Sequence, residues 1–345
     1  MKKRKPTDYL SAGIDVSSEK LDVFLMNKEE EGIHKIFLNT EEGIRKIIKW
    51  LKDFSFEGKI VMESTGRYHE LVAVMLFEAG GNVFVINPLR AKKYTTAQIR
   101  KLKTDKNDAK ILAEMALKEK TLDAFTLTRK EIEVKKRIAF ARSLEKKIQE
   151  LNAMVNNYQS SQEKLGHMLS ETEKKIKDAI KSFEKEKRVL EKEIIKAVFN
   201  AEDTKAQKAK DILNSISGIS PYYAALLYFF YSLNRSKSSG SWIAYTGLEI
   251  SIAESGKWRG KGKLSKRGNK YLRKRNFGAD WGAIMNDSAF RQYYDTLKEK
   301  GRSHTEALTI TGRKILRIAH SCLKYQKYFD PTILENSLLV NKINH

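Results

Sequence analysis

A single cysteine, four prolines and no uninterrupted apolar run of about 18 residues mark this chain of 345 residues. One cysteine cannot close an internal disulfide, which excludes a disulfide-stapled secreted scaffold and leads us to expect a cytoplasmic protein. That residue, Cys322, sits among Ile318, Ala319 and Leu323, the face of a helix, and reads as packing rather than chemistry. Without a long apolar run nothing is expected to span a bilayer. The start MKKRKPTDYL has a charged head but no apolar stretch behind it, so it reads as a basic arm and not a secretory signal. The six histidines, at positions 34, 69, 167, 304, 320 and 345, lack zinc spacing. Acidic residues are also in short supply, 43 Asp plus Glu against 66 Lys plus Arg, for a formal charge of +23. That excess must lie on surfaces, where nucleic acid is the commonest partner, so a nucleoid-associated protein is expected. With 41% hydrophobic residues the chain can still fill ordinary cores, which excludes disorder as a whole.

What is present changes character along the chain. Residues 9 to 27 read as two short strands around a turn at SSEK, and GIHKIFLNT as a third strand. EEGIRKIIKWLKDF then carries Ile44, Ile47, Ile48 and Leu51 at helical spacing, KIVMES is a buried strand, YHELVAVMLFEAG a helix closed by Gly80, and NVFVIN a strand stopped by Pro88. Strands followed by alternating helices and strands predict an α/β mixed sheet over 1–125. Residues 126–205 form the second region. Its stretch 129–200 has no proline and only Gly166, and Val134, Ile138, Ala141, Ile148, Leu151, Val155 and Tyr158 repeat at coiled-coil spacing, as do Ile176, Ile180, Phe183, Leu190 and Ile194. This predicts a long antiparallel helical hairpin in preference to an intermolecular coiled coil. A third, helical region spans 206–345 and contains ILNSISGISPYYAALLYFF, which resembles a helix-hairpin-helix whose turn amides can hold a phosphate, or else is a plain buried hairpin.

Four acids stand out. Asp15, in SAGIDVSSEKLDV, lies inside a strand that otherwise reads apolar, where an unpaired charge costs several kcal/mol unless it caps a turn. Glu63 ends the buried strand of KIVMESTGRY, where α/β sheets place their ligand sites. Asp105 and Asp108, in KTDKNDAKILAEMA, fall three apart at a helix start and share a face, although capping and dipole roles would also put them there. Four such acids can converge on a hard divalent cation that clamps a phosphate, Mg²⁺ with Mn²⁺ as a substitute.

Two basic segments complete the pattern. Arg90, Lys92, Lys93, Arg100, Lys101 and Lys103 precede the acidic pair with no acid among them. Ten Lys and Arg crowd the nineteen positions from Lys257 to Arg275, among them Lys257, Arg259, Lys261, Lys263, Lys266, Arg267 and Lys270. Unscreened like charges at this density repel one another, which points to phosphates, with solvated faces as the bland alternative. Ser255 stands at the mouth of this loop between Glu254 and Gly256, and local sequence leaves a turn cap open.

The strings GIDVSSEKLDV, ESTGRY, INPLRAKKY and KTDKNDAKILAEMA resemble the four-acid signature of the DEDD transposases of insertion-sequence family one-hundred-ten, relatives of the pilin-gene invertases. WIAYTGLEISIAESGKWRGKGKLSKRGNKYLRK resembles the same family's second domain. One departure is Ser217, where relatives often carry proline before the glycine. The resemblance implies a RuvC-like, RNase H-like N-terminal domain, a metal site of Asp15, Glu63, Asp105 and Asp108, and Ser255 as the nucleophile of a Ser-Gly pair. It implies a recombinase acting on double-stranded DNA, guided in several members by a structured noncoding bridge RNA and working as a dimer or tetramer. Two alternatives stay open on sequence: a metal-dependent nuclease or junction resolvase in which water attacks, and an architectural nucleic-acid binder whose acids are structural.

Overall fold

The computed structural model describes residues 9–97, 105–167, 170–234, 238–251, 254–255, 258–259, 262–332 and 334. The chain divides into two compact units, Met1–Glu133 and Val134–His345.

The first unit is built on a five-stranded sheet. β1 (Tyr9–Val16), β2 (Lys20–Asn27) and β3 (Gly32–Leu38) form an antiparallel meander, while β4 (Lys59–Glu63) and β5 (Asn82–Ile86) add parallel strands, giving the order β3-β2-β1-β4-β5. This is the RNase H-like arrangement, so the expected mixed sheet is present. Side-chain alternation sorts the strands into two faces. Ala12, Ile14, Leu21, Val23, Ile60 and Met62 pack with Ile44, Ile47 and Leu51 of α1 (Glu41–Asp53) and with Val72, Ala73 and Leu76 of α2 (His69–Glu78). The α1 helix starts where the Thr40 hydroxyl accepts from the Gly43 amide. On the opposite face Phe24, Met26, Val61, Phe84 and Ile86 meet Ala109, Leu112, Ala113, Met115 and Ala116 of α4 (Asp105–Lys118). Between β5 and α4 stands α3 (Pro88–Ala97), so Pro88 opens a helix as well as ending a strand.

The second unit is helical. α5 (Arg129–Lys164) and α6 (Glu171–Val198) run antiparallel, as Arg137 with Glu193, Asn152 with Glu184 and Lys177 with Gln159 require. Only part of the heptad pattern is buried alike: Val134, Ile138, Ala141 and Ile194 join the main helical core, Ile148, Val155 and Ile180 form a small cluster of their own, and Tyr158 and Phe183 remain exposed. Next come α7 (Thr204–Asn214), α8 (Pro221–Asn234), α9 (Ser239–Thr246), α10 (Lys270–Asn286), α11 (Ser288–Glu299) and α12 (His304–Tyr325). Gly218, at φ 86°, turns the chain between α7 and α8, and a Cβ there would lie 2.1 Å from the Ala279 carbonyl oxygen of α10. The tight turn therefore serves close helix packing. Four two-residue strands, β6 (Ile250–Ser251), β7 (Glu254–Ser255), β8 (Trp258–Arg259) and β9 (Lys263–Leu264), lie between α9 and α10. No helix among the described residues is long and apolar enough to cross a membrane.

Candidate active site

Register brings two of the four acids together. β1 and β4 are parallel, with Ile14 opposite Met62, so Asp15 and Glu63 each follow one residue later at adjacent strand ends. Neighbouring strands lie about 4.8 Å apart, and alternation turns both positions toward the face that α4 covers. Both residues are half-buried.

The helix delivers the others to the same end. Lys59, at the start of β4, donates to the Glu119 carbonyl at 2.8 Å, and Lys118 meets Glu30 in the β2–β3 turn at 2.6 Å. The C-terminal end of α4 is thus pinned near the strand starts, and its first turn lies toward the C-terminal ends of β1 and β4. Close contact is possible because of Gly13, where a Cβ would stand 2.0 Å from the Ala109 carbonyl oxygen. Asp108 is half-buried on that first turn, where the helix dipole favours an acid. Asp105 opens the helix, and its side chain lies outside the described residues.

The strand ends are tied to each other by residues that the sequence did not single out. Asn39 donates through Nδ2 to the Ser17 carbonyl after β1 at 2.8 Å and to the Tyr68 carbonyl after β4 at 3.1 Å. Asp22 faces Asp15 across the β1–β2 ladder and pairs with His34 at 2.8 Å and Lys20 at 3.5 Å. Its place was readable from hairpin pairing, since Asp15 and Asp22 flank the SSEK turn symmetrically, yet a lone acid in KLDVFLMN carries no motif. The described acids of this edge are oxygen donors, with the nearby imidazole of His34 committed to Asp22, and that chemistry suits a hard divalent ion. Among the described residues no three His, Cys, Asp or Glu side chains already stand at metal-binding distance.

The basic positions divide. Arg90 donates to Glu119 and to the Thr121 carbonyl, linking α3 to the end of α4, whereas Lys92 and Lys93 are exposed on α3. Arg100, Lys101 and Lys103 lie outside the described residues, as do Lys257 and Lys261. Lys263, Lys266, Arg267 and Lys270 are exposed around the start of α10.

Ser255 belongs to a short hairpin in which it pairs with Trp258, and Glu254 pairs with Arg259. The base of the loop is a second ladder, Ile250 with Leu264 and Ser251 with Lys263. Below it the Arg273 guanidinium donates to the Thr246 carbonyl at 3.1 Å and to the Lys266 carbonyl at 3.4 Å, and the Asn269 side chain caps α10. Further into this unit Arg275 lies 5.1 Å from the ring centres of both Tyr222 and Tyr271 and bonds Glu145 and Glu191, while Lys274 also bonds Glu145. Burial alone would raise the Glu145 carboxyl, but the Lys274 hydrogen bond and the Arg275 charge outweigh it and hold it below the usual range.

Two family models match this chain, and both describe transposases. The chain belongs to the IS110 transposase family. The DEDD transposase model of that family matches residues 12–165, and the model described as "Transposase IS116/IS110/IS902 family" matches residues 210–295. Two curated relatives, the "Pilin gene-inverting protein" of Moraxella bovis and that of Moraxella lacunata, are each 27% identical over 111 residues, 31% of this chain and 34% of theirs. The match thus spans about a third of the length of these relatives. Among solved structures, "T. thermophilus RuvC in complex with Holliday junction substrate" is 15% identical, with a TM-score of 0.27, over 33% of this chain and 98% of that one. "Thermus thermophilus RuvC structure" is similar at 17% identity and a TM-score of 0.25, over the same shares of the two chains.

Proposed function

We propose that this protein excises and inserts a mobile element by cutting and rejoining double-stranded DNA, with Asp15, Glu63, Asp105 and Asp108 as a divalent-metal site and Ser255 as the nucleophile. The observation that carries the metal half is the placement of Asp15 and Glu63 on adjacent parallel strand ends, beneath a helix whose first turn bears Asp108. A bound Mg²⁺, or Mn²⁺ in its place, would neutralise charge on the scissile phosphate. The protein's own part is to hold these carboxylates in place, which the Asn39 tether and the Gly13 contact support.

Ser255 supplies the covalent step. Its Oγ forms a bond to phosphorus as one deoxyribose oxygen leaves; the hydroxyl proton goes to solvent and the leaving oxygen takes one up. Attack by a deoxyribose hydroxyl on the phosphoserine reverses the step, so strands rejoin without an outside energy source. Exposed Lys263, Lys266, Arg267 and Lys270 favour the approach of a phosphate backbone.

The remaining partners extend the same reading. A structured noncoding bridge RNA reads the target by base pairing while the protein holds the backbone, and a dimer or tetramer carries the several cleavages that strand exchange needs. The test is cleavage of element-end DNA. Chelation of divalent ions and Glu63→Gln should each abolish cleavage while DNA binding persists, and full cleavage in the presence of chelator would overturn the metal half.

A further inference from the structure

Helix α12 carries a cluster that neither family match reaches, since they end at residues 165 and 295 and α12 begins at His304. Its inner face is apolar: Ala307, Leu308, Ile315, Leu316, Ala319 and Leu323 are buried against α9, α10 and α11. Beside that face Arg313 and Lys314 are half-buried and Arg317 is exposed. Arg313 and Arg317 stand one turn apart, so their guanidinium groups share one side of the helix.

None of the three makes an ion pair with a described residue, and the buried Nε of Arg313 has no hydrogen-bond partner there. Half-buried cations are ordinarily paired, because desolvation costs several kcal/mol that only an opposite charge offsets. Here burial, and then the charge of Arg317, hold both the Arg313 guanidinium and the Lys314 ammonium below their ordinary values. Two groups on other elements come near enough to act electrostatically: Tyr293 of α11, felt by both arginines, and Glu249, felt by Arg313. Glu249 immediately precedes β6, and its carbonyl accepts from the Ser265 amide at 2.8 Å. Arg313 therefore faces the base of the loop that carries Ser255, with Arg317 one turn further along the same helix.

We propose that Arg313, Lys314 and Arg317, with the Tyr293 hydroxyl, form a binding site for the phosphodiester backbone of a nucleic-acid strand passing the base of the serine loop. A phosphate accepts bidentate hydrogen bonds from guanidinium groups and supplies the missing opposite charge. Cations already stripped of much of their water lose little more on binding. A strand is preferred to a small phosphate because exposed Lys263, Lys266, Arg267 and Lys270 border the same loop and extend the positive surface. This site rests on the proposed recombinase reading only in that its ligand is a nucleic acid.

The test compares the parent with Arg313→Gln/Arg317→Gln and with Arg317→Gln alone, by anisotropy of a labelled DNA duplex and of a labelled RNA hairpin over a KCl series. The slope of log affinity against log salt should fall by about 0.9 for each duplex phosphate that the variant no longer neutralises. A fall on DNA alone, on RNA alone or on both identifies the source of the phosphate. A second readout separates binding from scaffolding: without ligand, at low salt, Arg317→Gln should melt higher than the parent because repulsion is relieved. Should the double variant fold poorly, the exposed Arg317 variant carries both readouts. Parental slopes on both ligands, or a lower melting temperature for Arg317→Gln, would overturn the site. A parent protein that bound neither ligand would instead overturn the proposed function itself.

Discussion

Asp15 and Asp280 are the same side chain put to opposite uses in the two units. Asp15 stands half-buried at a strand end, with Glu63 on the next strand and Asp22 across the ladder. Asp280 is 1% exposed inside the helical core, accepts from the Asn276 amide at 3.0 Å and 3.2 Å, and joins a chain that continues from Asn276 to the Tyr223 hydroxyl at 2.8 Å. Burial pushes the Asp280 carboxyl well above the ordinary carboxylate range. A buried acid in a satisfied helical network is scaffolding, whereas the acids gathered where parallel strands end are the ones we propose to meet a ligand. The helical unit does contain charges, yet Glu145, Arg275 and Glu191 answer one another within it.

Three substitutions sharpen that contrast. Asp15→Asn should reduce DNA cleavage by about 10²–10³-fold, the scale of losing one preorganised stabiliser of transition-state charge. Its melting temperature should stay at the parental value or rise slightly, since one of several neighbouring acids is neutralised. A cleavage rate equal to the parent's would remove Asp15 from the site. Glu145→Ala should act the other way round, costing about 1.5–3 kcal/mol of stability in denaturant titration, because Lys274 loses its carboxylate partner and Arg275 keeps only Glu191. Its chemistry per folded molecule should persist.

The smallest effect belongs to Asp280→Asn, and its sign follows from linkage. A carboxyl raised by folding binds its proton more tightly in the native state, so its favourable contribution is complete at low pH and is lost as pH rises through the native value. The amide imitates the protonated form. At pH 8 the variant should therefore melt above the parent by about 2–4 °C, the scale of one kcal/mol in a unit of this size. The gain should vanish toward pH 4, near the ordinary carboxylate value. A variant that melted below the parent at pH 8 would show that Asp280 works in its charged form.

The sequence disclosed what long periodicity encodes and little of what short contacts encode. Alternation in LDVFLMN and the otherwise apolar stretch around Asp15 suffice for β2 and β1, and the residue string alone puts the four acids on strands and a helix. The direction of α4 was invisible, because it is set by Lys59 on the Glu119 carbonyl and Lys118 on Glu30. Asp22 was missed since only hairpin register sets it opposite Asp15. Strands of two residues, like the one bearing Ser255, are too short to show any period. Arg90 differs from its basic neighbours through its contact with Glu119, a partner 29 positions away that the residue string does not display. The α12 cluster escaped because its meaning lies in a missing partner, and a sequence does not display partners.

The identity of the attacking group decides the chemistry, and trapping that group is the most direct test. A nicked suicide substrate bearing an element end, incubated with protein and Mg²⁺ and then digested for peptide mapping, should yield a DNA adduct on Ser255. Ser255→Ala should bind the same DNA and give no adduct. Cleavage that leaves only hydrolysed ends, or an adduct mapped to another residue, would contradict the serine mechanism, and hydrolysed ends would favour a metal-dependent nuclease.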